Sequence, residues 1–433
     1  MNQPRTLTAK EFQLTAGVAD WRVLGAGPSA WFTTPSHADG TQLAALIAEL
    51  VDGRELPDLD IRADGVRVRL VPVDELSQRE VDLSRAISAA AESLGLIADP
   101  TRLQSLQLAI DAANPERLAP FWQMVLGHHS RGRTDLIDPL RRRPPLWFQG
   151  QDEARPLRSR LHLDAVGPQL ISSLTVATLR GDGAQITDHG YYATVADAEG
   201  NEADALPLPA GSDRWSDPGT EDWRLVFSAM AAYRVTDTRQ VVELINAIAT
   251  LADEADLPLG IDVRPGWVVL DSGKDVWETT EGYEQLAARV QQAAHAMGLS
   301  ADDSACRFTQ VVIDAVDIPA VRAFWRSVLG YVDDPRAGVT DIVDPVGLGM
   351  PFVFQPLDAS DTARRAQRNR IHVDLFVPDD QAAVRIEAGL AAGGRLTRDQ
   401  DAPQWWTLAD PEGNEIDIAV VPGRTEAEAQ RVV

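Results

Sequence analysis

Two histidines of this chain sit in matched settings, Arg160-Leu161-His162-Leu163-Asp164 and Arg370-Ile371-His372-Val373-Asp374. The alternation of polar and apolar residues is that of a half-buried strand, in which residues two apart share a face. Arg160, His162 and Asp164 therefore project together, as do Arg370, His372 and Asp374. Each histidine also keeps the same company in the same order: Gln107, Gln149, His162 and Asp204 in the first half, Gln310, Gln355, His372 and Asp417 in the second. An imidazole, a carboxylate and two amide oxygens converging on one cavity make a divalent-cation site. The nitrogen suits zinc, nickel or iron, and the oxygens suit magnesium or manganese. Such a set carries one formal negative charge, which predicts weaker binding than a site with two carboxylates. The plainer reading stands beside it: a strand histidine is ordinarily a packing residue, and a glutamine at a strand end commonly bonds neighbouring backbone.

The recurrence extends well beyond these eight residues. LQLAID, Phe121-Trp122, TDLIDP, PLWFQ, RLHLD and DAEGNEAD are answered by TQVVID, Phe324-Trp325, TDIVDP, PFVFQ, RIHVD and DPEGNEID. Repeats of this length are whole domains rather than solenoid units. Phe121-Trp122 and Phe324-Trp325 read as core anchors on a first helix. The GNE turns supply left-handed geometry whatever the function. Tyr191-Tyr192 and Trp405-Trp406 precede the last strand of each copy and could line a cavity there, with an ordinary packed aromatic pair the plainer reading.

At 433 residues the chain is too long for one core, and with 44% hydrophobic residues it has ample material to bury. A formal charge of −25 repels nucleic acid and anionic membrane surfaces. The one basic run, Arg141-Arg142-Arg143, has no counterpart in the second copy and reads as a solvated loop. A single cysteine, Cys306, forbids an intrachain disulfide. There is no apolar leader at the start and no span of eighteen apolar residues, so the expectation is a cytoplasmic protein without membrane or nucleic-acid partners.

Four units alternate. Residues 1–98 hold a helical pattern over Leu43 to Val51, a strand over Val66 to Leu70, and a helix from Glu80 to Leu94 closed by Gly95. Residues 213–299 repeat this with a helix over Val241 to Leu251, a strand over Trp267 to Leu270, and a helix from Tyr283 to Met297. Residues 101–210 and 305–422 read as strand, short helix, strands, then strand, helix, strands. Pro115 opens the first of these helices and Gly127 ends it. The fold class expected is α+β.

The segments 101–210 and 305–422 resemble the glyoxalase-like branch of the vicinal oxygen chelate superfamily, with DPEGNEID at Asp410 to Asp417 the strongest motif. That resemblance implies paired βαβββ modules around a cup-shaped metal site. On it, Gln107 and Gln310 fall at the first-strand ligand position, Gln149 and Gln355 at the fourth strand, His162 and His372 on the fifth, and Asp204 and Asp417 on the eighth. Glyoxalase I carries Glu at the fourth and eighth strands, where this chain has Gln and Asp. The function implied is a divalent-metal enzyme (zinc, nickel, manganese or iron), a lyase, isomerase or dioxygenase acting on a small oxygenated metabolite. In it Asp164 or Asp374 would be an auxiliary base and Arg160 or Arg370 a substrate-carboxylate anchor. A metal-free small-molecule binder of the bleomycin-resistance type is the alternative.

Residues 1–98 and 213–299 resemble pterin-4a-carbinolamine dehydratases, through Leu76-Ser77-Gln78-Arg79-Glu80 leading to Leu83-Ser84 and Ile87. Where that family has His-His-Pro, this chain has Glu55-Leu56-Pro57 and Asp256-Leu257-Pro258. All seven histidines lie elsewhere, at positions 37, 128, 129, 162, 189, 295 and 372. Dehydratase activity is therefore not expected, because no imidazole stands where the reaction needs one. The duplication implies an internal pseudo-dimer. Of its two arrangements, the expectation favours local cups, with Gln107 and Gln149 meeting His162 and Asp204 of the same copy.

Overall fold

The computed structural model describes residues 6–25, 27–72 and 75–420. The four sequence segments assemble into two compact units: Met1–Leu103 with Arg214–Cys306, and Gln104–Asp213 with Arg307–Val433. In each unit the two copies merge. Among the described residues no helix is long and apolar enough to cross a membrane.

In the first unit both copies contribute to one nine-stranded sheet. Its centre is the antiparallel pair Asp58–Arg62 and Gly260–Arg264, in which Asp60 faces Asp262. One face presents Leu59, Ile61, Ile261 and Val263 to the helices His37–Val51 and Thr238–Ala255. Both helices run longer than their apolar stretches because Ser36 and Asp237 cap polar first turns. The other face carries a buried ion network: Arg264 and Arg67 on Asp60, Arg69 on Asp58, Arg62 on Asp262. Part of the motif carrying the dehydratase resemblance has a local explanation. Ser77 and Glu80 form a capping box for the helix Gln78–Ser93.

Among the described residues the second unit holds sixteen strands, labelled in chain order. Copy one supplies β1 (Ser105–Ala112), α1 (Pro115–Leu126), β2 (His129–Arg131), β3 (Asp135–Ile137), β4 (Leu146–Gly150), β5 (Leu161–Val166), α2 (Gln169–Gly181), β6 (Gln185–Asp188), β7 (Ala193–Ala196) and β8 (Glu202–Leu206). Copy two repeats them as β9 (Phe308–Ala315), α3 (Ile318–Leu329), β10 (Val332–Asp333), β11 (Ile342–Val343), β12 (Phe352–Pro356), β13 (Ile371–Phe376), α4 (Ala382–Ala391), β14 (Arg395–Arg398), β15 (Trp405–Ala409) and β16 (Glu415–Ala419). The βαβββ modules are present twice per copy. Pro115 opens α1, and Gly127 ends it in the left-handed region.

The pairing of modules overturns the local arrangement. One sheet runs β6-β7-β8-β5-β9-β12-β11-β10 and the other β14-β15-β16-β13-β1-β4-β3-β2. The seams are β5 against β9 and β13 against β1, each an antiparallel run of six residue pairs joining different copies. Each sheet is thus the second module of one copy completed by the first module of the other. Trp122, Leu126, Trp325 and Leu329 of α1 and α3 pack in the core that both copies share.

Candidate metal centre

Strand register builds each cup row by row. Across the seam Asp164 lies opposite Gln310 and Asp374 opposite Gln107, while the parallel neighbours place Asp204 beside Asp164 and Asp417 beside Asp374. Paired residues share a face, so the rows Thr194-Asp204-Asp164-Gln310 and Thr407-Asp417-Asp374-Gln107 cross the two cups. His162 and His372 stand one pleat further along.

In the first cup one atom each of His162, Asp164 and Asp204 lies within 4.8 Å of the others, and in the second the same holds for His372, Asp374 and Asp417. Asp164 and Asp374, expected as auxiliary bases, thus lie inside the candidate ligand clusters. The donor set is one imidazole and two carboxylates, which removes the reason for expecting weak binding. Thr194 donates to Asp204 Oδ1 over 2.6 Å and Thr407 to Asp417 Oδ1 over 2.5 Å, fixing each eighth-strand carboxylate. Asp164 accepts from Gln310 Nε2 at 2.6 Å. In the second cup the corresponding carboxylate, Asp374, accepts instead from Trp147 Nε1 at 2.7 Å. Gln310 Oε1 and His162 Nδ1 are buried without a hydrogen-bond partner. Buried polar atoms are rarely left so, and both are cation donors. The residues present fit a divalent ion.

The glutamines divide between the cups as the seams dictate. Gln107 faces Asp374, and Gln149 Nε2 lies 3.5 Å from His372 Nε2 while also contacting Asp111. Gln310 belongs with His162, and Gln355, beside Asp314, is exposed. Gln107 and Gln149 therefore meet His372 and Asp417, not His162 and Asp204.

Arg160 and Arg370, expected as carboxylate anchors, are engaged within the chain. Both are buried just before β5 and β13, where the strand period no longer sets their direction. Arg160 donates to Asn414 and to the carbonyls of Arg364, Arg365 and Gln367, and Arg370 to Asn201 and to the carbonyls of Arg155, Leu157 and Gly200. Each guanidinium clasps the GNE turn of the opposite copy. The basic run is likewise partly structural: Arg143 pairs with buried Asp138 and caps the Leu126 carbonyl.

Sequence reasoning passed over Asp111 and Asp314. They sit one pleat beyond the histidine row and are paired with Arg155 and Arg364. Their signal was present, since each stands four residues after a named glutamine on the same strand. Electrostatics differ between the cups. Burial pushes the His162 imidazole below its usual range, though Asp204 opposes this. Burial pushes the Asp417 carboxyl up to about 6; His372 opposes the shift and Asp374 adds to it.

Tertiary structure also brings an imidazole beside Asp256-Leu257-Pro258. His37 Nε2 lies 3.0 Å from the Leu259 carbonyl, next to Pro258, with Nδ1 2.6 Å from Asp253. Both nitrogens are engaged and the ring is buried, so it ties two helices together.

Residues 107–206 and 310–419 each match the glyoxalase-like domain family. Among solved structures the chain resembles glyoxalase I from Zea mays at 9% identity and a TM-score of 0.38, covering 73% of this chain and 93% of that one. A glyoxalase-related enzyme from Fulvimarina pelagi is similar at 20% identity and a TM-score of 0.19, over 25% of this chain and 84% of that one. A glyoxalase/bleomycin resistance protein/dioxygenase family enzyme from Burkholderia phytofirmans is similar at 20% identity and a TM-score of 0.19, over 25% and 94%. No curated protein matches the chain.

Proposed function

We propose that the protein is a metal-dependent enzyme of the glyoxalase and dioxygenase superfamily, acting on a small oxygenated metabolite in cups shared between its two copies. The observation that carries this reading is the doubled convergence of one imidazole and two carboxylates within 4.8 Å. His162, Asp164 and Asp204 would hold one divalent ion and His372, Asp374 and Asp417 the other, with Gln310 and Gln107 beside them. When bound, the ion supplies Lewis acidity toward adjacent substrate oxygens. The chain does the positioning. Thr194 and Thr407 restrain one carboxylate of each cup, and Gln310 and Trp147 restrain the other. Because Asp417 holds its proton up to about pH 6, ion uptake at the second cup is coupled to proton release.

The test is elemental analysis and calorimetry with zinc, nickel, manganese and iron on full-length protein free of a histidine tag. Two ions per chain are expected, and His162→Ala and His372→Ala should each remove one. Absence of uptake of all four metals would sink the enzyme reading and favour a metal-free binder.

A further inference from the structure

The two copies within the first unit carry one motif at the same place, Gly17-Val18-Ala19-Asp20-Trp21-Arg22 and Gly219-Thr220-Glu221-Asp222-Trp223-Arg224. In both, the arginine Nη1 donates to the carbonyls of the tryptophan and of the residue before the aspartate, and the tryptophan is buried. The two aspartates are thus presented by the same turn. The helices Gln78–Ser93 and Tyr283–Ala296 also end alike, at Leu94-Gly95-Leu96 and Met297-Gly298-Leu299, which sets Glu92 against His295 and Ser88 against Gln291. The pairings of Phe32 with Ala98 and of Tyr233 with Ala301 set Phe32 against Tyr233.

What surrounds the aspartate differs between the copies. In the second, Asp222 Oδ2 accepts from the Tyr233 hydroxyl at 3.0 Å and lies 2.9 Å from His295 Nε2. Gln291 accepts from the Asp222 backbone N–H and donates to Glu221, so the chain fills the place with its own side chains. In the first, Phe32 stands for the phenol and Glu92 for the imidazole, and the place is a cavity of about 500 Å³ lined by Asp20, Phe32, Ser88, Glu92 and Leu96. Among the described residues neither the Asp20 nor the Glu92 carboxylate has a hydrogen-bond or ion-pair partner. Arg85 also reaches the cavity, but its guanidinium is turned to the Ala16 carbonyl, at 2.9 and 2.6 Å, and to Asp82.

We infer that this cavity binds a small organic cation, an amine- or imidazole-bearing molecule whose N–H groups are taken by Asp20 and Glu92 and whose carbon body lies on Phe32 and Leu96. The second copy displays the contact, since there the equivalent carboxylate meets an imidazole of the chain itself. A hydrogen bond between charged groups is about twice as strong as a neutral one, and two acceptors select for N–H donors over bare charge. The site stands apart from both cups and does not depend on the metal reading.

Histamine is the probe, because it carries both an imidazole and a primary ammonium. It is titrated calorimetrically at low salt into full-length protein stripped of metal by a chelator. One histamine per chain is expected, with a dissociation constant of about 1 mM or below. Asp20→Asn and Glu92→Gln should each weaken it about tenfold, the size of one hydrogen bond to a charged group. Glu92 is exposed, so its substitution leaves the core intact. Glu92→His combined with Phe32→Tyr gives the first copy the partners found in the second and should abolish binding. Tetramethylammonium, which has charge without N–H, should not compete. An absence of saturable heat, or binding indifferent to both carboxylate substitutions, overturns the inference. So does calcium binding that Asp20→Asn and Glu92→Gln abolish and histamine cannot displace, which would make the pair a metal site.

Discussion

Cutting out one glyoxalase-like copy tests the exchanged architecture directly. A fragment of residues 104–213 keeps β1 and β5 but removes β13 and β9, the strands across both seams. Leu106, Leu108, Ile110, Leu161 and Leu163 are at most 5% exposed and belong to the core shared by both copies. Partial exposure of five such side chains, at about 1–2 kcal/mol each, amounts to roughly 5–10 kcal/mol. That equals the whole stability of an ordinary domain, about 5–15 kcal/mol, before the lost ladder hydrogen bonds are added. The fragment should therefore be unfolded as a monomer, or should pair with a second copy of itself. Mixing it with residues 307–420 should restore a one-to-one complex. Circular dichroism and light scattering after gel filtration, with manganese uptake measured on each species, report the outcome. A monomeric 104–213 fragment that unfolds cooperatively and binds metal as tightly as the full chain would refute the exchange and the cups built on it.

Replacing Arg370 by Ala should destabilise the chain by about 3–5 kcal/mol in urea denaturation, because buried acceptors lose their donor; a change under about 1 kcal/mol would return this side chain to a substrate-binding role. Manganese affinity at the second cup, read in His162→Ala, should fall about tenfold from pH 7 to pH 5 through Asp417 alone, whose ionised share drops from about nine-tenths to about one-tenth around a pKa of about 6. The metal-free fold should respond in the opposite sense. Its Asp417 holds a proton more tightly than the unfolded chain does, so that contribution is present below about pH 4 and lost as pH rises through about 6. Asp417→Asn should flatten this dependence in melting experiments, and an unchanged slope would count against the burial argument. No acceleration of pterin carbinolamine dehydration is expected, since both His37 nitrogens are engaged; turnover above background would show otherwise.

Local and periodic features were legible in the sequence. Strand alternation put His162 with Asp164, and His372 with Asp374, because a period of two leaves no other choice once one face is apolar. The duplication declared two domain types and two cups, and Pro115, Gly127 and Gly95 marked helix ends by chemistry that acts within a turn. Arg160 and Arg370 exceeded that reach: one residue before a strand, period gives way to the pull of backbone carbonyls contributed from the other copy. Trp147 was visible as a break in the repeat, but its hydrogen bond to Asp374, 227 residues away, was not. The largest decision belonged to tertiary structure alone. β1 and β9 carry equivalent apolar patterns, as do β5 and β13, so local and exchanged seams would bury nearly the same side chains. What separates them is where the segment between the copies lets each module dock, a long-range property of chain closure that no stretch of residues encodes by itself.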